Sequence, residues 1–169
     1  RALFSEQIIG LIEGGVDLLV FETFPDVEEL AFAVETAHQL CQLPVIASAT
    51  FGQDGRTPWG QTPQEVVTAL PTAKADVIGL NCSVGPSDAL DIAKQMLSAG
   101  VEHLSMVPNA GMPRRTSDGR LLYAATPAYF AEIAVKAAAA GVAVIGGCCG
   151  TTPEHIAAMR QALDAATHE

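Results

Sequence analysis

Two adjacent cysteines, Cys148 and Cys149, stand between glycines in the stretch Gly146-Gly147-Cys148-Cys149-Gly150-Thr151-Thr152-Pro153-Glu154-His155. The apolar run 142–145 before them reads as a buried strand. Thr152, Pro153 and Glu154 read as the N-cap, first helical residue and first-turn acid of a helix that follows. Both thiols therefore sit at a strand's C-terminal end and beside a helix N-terminus, whose dipole favours the thiolate, and the glycines allow close backbone approach. Thiolates bind metals and attack electrophiles. Taken alone, the pair has three readings: a metal site, two small buried hydrophobes, or a vicinal disulfide closing a strained ring.

A third thiol of the same kind is Cys82, in Val77-Ile78-Gly79-Leu80-Asn81-Cys82-Ser83-Val84-Gly85-Pro86, again an apolar strand ending in cysteine before a helical pattern. Cys41 closes an amphipathic helix ahead of Leu43-Pro44 with no glycine-rich turn around it, and reads as packing. Structural zinc usually has four protein ligands, whereas three leave a tetrahedral position open, the mark of a catalytic site. Cys82, Cys148 and Cys149 thus predict a reaction at a metal.

Other polar residues fall at strand ends. Glu22 closes an apolar run, where a carboxylate is costly unless paired or facing solvent. It reads as a ligand-binding group or as the partner of a loop cation. Thr23 and Thr50 are equally readable as hydrogen-bonded turn formers. Asn81 can orient the Cys82 loop or simply make a turn. Residues 110–125 are the longest irregular stretch, and long loops often carry function. Arg114, Arg115 and Arg120 in it read as a contact for an anionic donor or partner domain, or as a solvated surface. Among the histidines, His38 falls on a helix, His103 at a strand start and His168 in the tail. Only His155 is near the cysteines, as a surface or capping residue. Trp59 can cover a pocket or pack over the helices.

Strands and helices alternate to carry these groups. A helix over 5–13 ends at Gly14-Gly15, and strands follow at 17–22, 45–50, 77–81, 103–107 and 142–145. Between and after them, helices are expected from the Asp26 cap to 40, from Thr62-Pro63, from 87 to about 100, from Thr126-Pro127, and from 153 to about 167. Five strand-helix units in a row imply a parallel sheet with helices outside it. An open doubly wound sheet concentrates its site at one switch point, whereas a barrel gathers every strand end around one mouth. Here all five strands end in polar or unusual residues, which favours a (β/α)₈ TIM barrel.

Such a barrel needs about 250 residues, and the chain has 169. The expectation is the last five βα units with the first three missing, since an isolated five-stranded arc leaves an edge and an inner face unpaired. Arg1 in place of methionine and the absence of a charged-then-apolar leader fit a piece of something longer.

With 49% hydrophobic residues the chain can bury a sizeable core, and its few aromatics and many small aliphatics suit an α/β protein. A formal charge of −10 argues against a nucleic-acid surface. No apolar run approaches the roughly 20 residues that cross a bilayer. Four unevenly spaced cysteines favour metal or catalytic use over a disulfide framework, so the expected location is cytoplasmic.

The phrase Gly-Gly-Cys-Cys-Gly-Thr-Thr-Pro-Glu-His-Ile at 146–156, the upstream Gly79-Leu80-Asn81-Cys82, and Glu22 with Asp26-Val27-Glu28-Glu29 together resemble the homocysteine S-methyltransferases. That family includes the homocysteine-binding module of cobalamin-dependent methionine synthase and betaine-homocysteine methyltransferase. The resemblance covers the whole chain and makes 1–169 a single partial homocysteine-binding barrel domain. It implies Zn2+ held by Cys82, Cys148 and Cys149, with the substrate sulfur as fourth ligand, and transfer of a methyl group to the homocysteine thiolate to give methionine. It also implies that Glu22 would receive the substrate's ammonium; Asn109, in a phrase that resembles the family's, and Thr23, by its place at the strand end, are the further expected substrate contacts.

Pro108-Asn109-Ala110-Gly111 resembles the methionine-synthase-type modules more than the betaine enzymes. The donors known in the family are methylcobalamin, betaine, S-methylmethionine and a methylfolate. Cobalamin or methylfolate would act through other domains of a longer chain. Two alternatives stand beside this: a catalytically incomplete portion of a larger protein, and a metal-free redox protein using the vicinal thiols.

Overall fold

In this computed structural model, which describes residues 2–70 and 74–166, short apolar strands alternate with helices as the patterning requires. The elements are α1 (Ala2–Glu13), β1 (Leu19–Phe24), α2 (Val27–Leu40), β2 (Val45–Ala49), α3 (Pro63–Ala69), β3 (Val77–Asn81), α4 (Pro86–Ser98) and β4 (Leu104–Val107). They continue with β5 (Arg114–Arg115), β6 (Leu121–Leu122), α5 (Pro127–Ala140), β7 (Val144–Ile145) and α6 (Pro153–Ala166).

Local chemistry sets the helix starts. The Asp26 side chain accepts from the Glu28 amide at α2, and Thr126 accepts from the Tyr129 amide at α5. At α3, Thr62 and Glu65 make a reciprocal capping box ahead of Pro63. Each device satisfies amides that the first helical turn leaves without partners.

Five strands form one parallel sheet in the order β1-β2-β3-β4-β7, which is also their chain order. Among the described residues the strand order has no reversal, so the sheet shows none of the switch points at which doubly wound sheets place their sites. Among the described residues the sheet is open, with β1 and β7 as its edges.

The register divides the sheet into two faces. Ala47, Ile78 and Leu104 share one row, Ala49, Leu80 and Met106 the next, and all are buried with Leu30, Val34, Val66, Ala93 and Met96 of the helices. On the other face, Ser48, Gly79 and Ser105 are side by side. A Cβ on Gly79 would lie 2.5 Å from Ser48 Oγ and 2.9 Å from Ser105 Cβ, so only glycine fits between the serines. Toward the edges this face opens: Val20 on β1 is 51% exposed and Val144 on β7 is 38% exposed.

Four expectations change. α1 starts at Ala2, and β1 runs from Leu19 through Phe24, so Glu22 lies inside the strand instead of ending it. A bulge in the pairing of β1 with β2, between Phe21 and Phe24, explains the extension, because it lets the strand continue past Glu22 out of regular register. The last parallel strand is confined to Val144–Ile145, since only that pair meets β4 in ladder register. The stretch 110–125 is not wholly irregular: Arg114 and Arg115 pair with Leu122 and Leu121 as an antiparallel hairpin. Thr167, the expected end of the last helix, and His168 lie outside the described residues.

Candidate metal centre

The end of β4 seats both cysteine loops. Cys82 directly follows β3, and its amide donates to Val107 O at 3.0 Å. The Cys148 amide donates to Pro108 O at 2.8 Å, and the Ala110 amide donates to Cys149 O at 2.8 Å. Asn109, 5% exposed, completes the seat by accepting the Cys149 amide on Oδ1 at 3.1 Å. Cysteines from two distant loops thereby hang from one short segment.

The thiols meet. Cys82 Sγ lies 3.8 Å from Cys149 Sγ, Cys148 Sγ lies 4.0 Å from Cys149 Sγ, and all three sulfurs fall within 4.8 Å of one another. A disulfide would need about 2.05 Å, and all four cysteines are free. The trio is not core packing either, since Cys149 is exposed and the other two are only half-buried. Tetrahedral zinc with Zn–S near 2.3 Å requires sulfurs roughly 3.8 Å apart, so the donor set fits that ion. Cys41 instead packs half-buried against the main core.

The electrostatics of the trio are uneven. Burial pushes the Cys82 thiol up, but the Ser83 amide and hydrogen bonds from Cys149, Cys148 and Asn109 outweigh it and hold the thiol below its ordinary value. Burial, followed by the negative charge on Cys82, pushes Cys148 up to about 12. Cys82 therefore ionises before Cys148 and opposes its ionisation. A divalent cation among the sulfurs would remove that opposition, because a coordinating thiol is deprotonated outright.

The Cys82 turn is strained. Cys82 and Ser83 have φ of 61° and 56°, left-handed values uncommon outside glycine. Ser83 Oγ and Thr50 Oγ1 share a hydrogen bond of 2.7 Å, tying the turn to the end of β2. Asn81, 2% exposed, reaches past β2 to Thr23: its Oδ1 accepts the Thr23 amide and its Nδ2 donates to Thr23 Oγ1, each at 2.7 Å.

Around the second loop, Gly150 has φ +80° and supports the Tyr123 ring so closely that a Cβ there would run into the ring carbons. His155 is buried, not a surface residue, with Nδ1 accepting the Thr152 amide at 3.1 Å and Nε2 facing Ala125 O at 3.0 Å. Because a carbonyl can only accept, Nε2 carries the proton and Nδ1 caps the helix. His155 is thus a capping strut and not a fourth ligand.

Glu22 is exposed and, with Phe4, Gln7, Leu11 and Val20, lines a cavity of about 300 Å³ between α1 and β1. No ion pair forms at Glu22 among the described residues. Of the hairpin arginines, Arg120 pairs with Asp118 at 2.7 Å, while Arg114 and Arg115 are exposed. Trp59 is 71% exposed, so it does not pack over the helices. The seat at Pro108, the Asn81 bridge to Thr23 and the Tyr123 platform are the parts that sequence reasoning missed. Only Gly150 carried a signal, as a glycine at a crowded turn.

A chain-ordered parallel α/β sheet carrying three clustered thiols at its strand ends defines a class of metal-competent α/β proteins. The sequence profile of the homocysteine S-methyltransferase family matches residues 1–163, and the chain belongs to that family. Methionine synthase of Mycobacterium tuberculosis (strain ATCC 25618 / H37Rv) is 32% identical over 162 residues, covering 92% of this chain and 14% of that protein. In fold, the chain is similar to the homocysteine methyltransferase MmuM of Escherichia coli. The apo form superimposes with a TM-score of 0.75 at 23% identity over 95% of this chain and 56% of that one. The metallated form gives 0.75 and 23% over 95% and 51%. The chain thus spans about half of that structural relative and about a seventh of the methionine synthase.

Proposed function

We propose that this chain is the zinc-binding part of a homocysteine S-methyltransferase, transferring a methyl group to the thiolate of homocysteine to give methionine. The observation that carries the reading is the meeting of the Cys82, Cys148 and Cys149 sulfurs at the spacing of a tetrahedral thiolate site. Zinc held by these three would supply a Lewis acid with one open position, keeping a substrate thiol ionised at neutral pH. An ordinary thiol, with a pKa near 8.5, is mostly protonated there.

The chain's own residues do the rest. Cys82 ionises readily because the Ser83 amide and its neighbours stabilise its charge. The Pro108, Asn109 and Ala110 seat holds both cysteine loops in one arrangement, so the donor set needs little reorganisation. Glu22, free of ion pairs among the described residues, offers a carboxylate to the substrate's ammonium, with Thr23 beside it. Asn109 faces the same loops and lines the substrate site. Transfer then requires the donor methyl carbon in line with the sulfur.

The same reading makes residues 1–169 a partial domain: five βα units of a (β/α)₈ barrel closed by three further units. The open edges at Val20 and Val144 and the 56% share of the MmuM chain support it. The 14% share of the methionine synthase supports a place among other domains, which would deliver methylcobalamin or a methylfolate. Reduced thiols fit a cytoplasmic setting. No helix among the described residues is long and apolar enough to cross a membrane.

The test is methionine formation from homocysteine with methylcobalamin, methylfolate, S-methylmethionine and betaine offered in turn to the complete protein. Product with one of them is expected. No product with any of them overturns the reading.

A further inference from the structure

Thr23 has φ 64°, a left-handed conformation that a β-branched residue keeps only when its surroundings hold it. What holds it comes from two strands away. The pairing of β1 with β2 slips between Phe21 and Phe24, which releases Thr23 from the ladder. Asn81 at the end of β3 then takes both of its polar groups, accepting the amide and donating to the hydroxyl at 2.7 Å each.

This amide stands at a junction. Thr23 directly follows Glu22, and Asn81 directly precedes Cys82. Ser83, on the other side of Cys82, is bonded to Thr50 at the end of β2. The ends of β1, β2 and β3 are therefore one hydrogen-bonded unit, with the candidate amine-binding carboxylate at one side and the first thiol at the other.

We propose that the Asn81–Thr23 clamp fixes the separation between Glu22 and Cys82, so that the site measures the length of the amino acid it accepts. The inference rests on the functional reading above. An amino acid held by its ammonium at one end and its sulfur at the other must match that separation. Homocysteine exceeds cysteine by one methylene. With the two receiving groups joined through a buried amide whose polar ends are both engaged, the shorter chain cannot meet both at once. Asn81 touches neither substrate nor reacting atoms in this scheme and acts as a positioning residue, while Thr23 stands beside Glu22 with its hydroxyl accepting from Asn81.

The test uses the complete zinc-loaded protein and compares Thr23→Val, Thr23→Ser and Asn81→Ala for zinc content, for KM and kcat with homocysteine, and for turnover of cysteine. Thr23→Val removes the hydroxyl that Asn81 binds, and Thr23→Ser keeps it. Zinc content is expected to stay at the wild-type level in all three. With Thr23→Val and Asn81→Ala, kcat/KM for homocysteine should fall by about 10–100-fold, and the preference over cysteine should narrow by about tenfold. Thr23→Ser should restore both. An unchanged preference, equal damage from serine and valine, or loss of zinc in step with activity overturns the clamp alone. Wild-type protein that forms no methionine overturns the functional reading and the clamp with it.

Discussion

Cys82 Sγ and Cys149 Sγ stand 3.8 Å apart, although their residues are 67 positions apart in sequence and on separate loops. That is close to the edge of a thiolate tetrahedron around zinc, roughly 3.8 Å, and well beyond a disulfide bond. The loops reach this spacing because Val107, Pro108, Asn109 and Ala110 bond to both of them.

The first prediction concerns the metal. Purified protein should hold about one zinc per chain, the stoichiometry of a single three-thiolate site. Cys82→Ser and Cys149→Ser should each strip most of it, whereas Cys41→Ser, which alters a thiol packed against the core, should leave it in place. Elemental analysis after dialysis against a weak chelator measures this. Zinc retained at the wild-type level in the double variant Cys82→Ser/Cys149→Ser would sink the assignment.

Asn109 is the second. Its Oδ1 is the acceptor for the Cys149 amide, and its side chain also lowers the Cys82 thiol. Removing such a support usually costs about 10–100-fold in metal affinity. Asn109→Ala should show that loss in a chelator competition titration while its urea midpoint moves much less. Unchanged affinity would mean that the seat holds through its backbone bonds alone.

Gly150 and Tyr123 make the third. An alanine at Gly150 meets both a left-handed φ of +80° and the Tyr123 ring. Together these should cost about 2–4 kcal/mol. Adding Tyr123→Ala relieves the collision and leaves the backbone penalty, so the double variant should be less damaged than the sum of the two single changes. Additive losses in urea unfolding would show that the ring is free to move away.

How much of this was legible in the sequence follows from what each feature depends on. The five parallel strands were, because each is an apolar run between helix signals, and the three thiols were, because cysteine at a strand end is unusual chemistry. The helix caps at Asp26, Thr62 and Thr126 were legible for the same local reason. The Asn81 bridge to Thr23 spans 58 residues and depends on a bulge, and neither residue type announces a register slip. Asn109 was singled out, but its bond to Cys149 exists only once β4 and β7 are neighbours. The hairpin at 114–122 was hidden because two-residue strands leave no periodicity to read.

The fourth prediction tests the capping box at α3 through pH. The Thr62 amide donates to Glu65 Oε2 at 2.6 Å and the Thr62 hydroxyl to the same oxygen at 2.9 Å, while the Glu65 amide returns a bond to Thr62 Oγ1 at 3.3 Å. The Thr62 amide first, then its hydroxyl, hold the Glu65 carboxyl below its ordinary value of 4.5. A carboxyl lowered by folding adds stability that is fully present above the unfolded value and is lost as pH falls through the folded one. The stability difference between wild type and Glu65→Gln should therefore be constant above about pH 6 and shrink steadily on acidification below about pH 4.5. The glutamine side chain in that variant can still accept the Thr62 amide but has no charge to lose, so the variant's own stability should fall less steeply over that range. Thr62→Ala removes the cap itself and should cost about 1 kcal/mol. Urea unfolding of the three proteins at stepped pH measures all of this. A wild-type to Glu65→Gln difference that does not change with pH would mean that the carboxylate's charge contributes nothing to the start of α3.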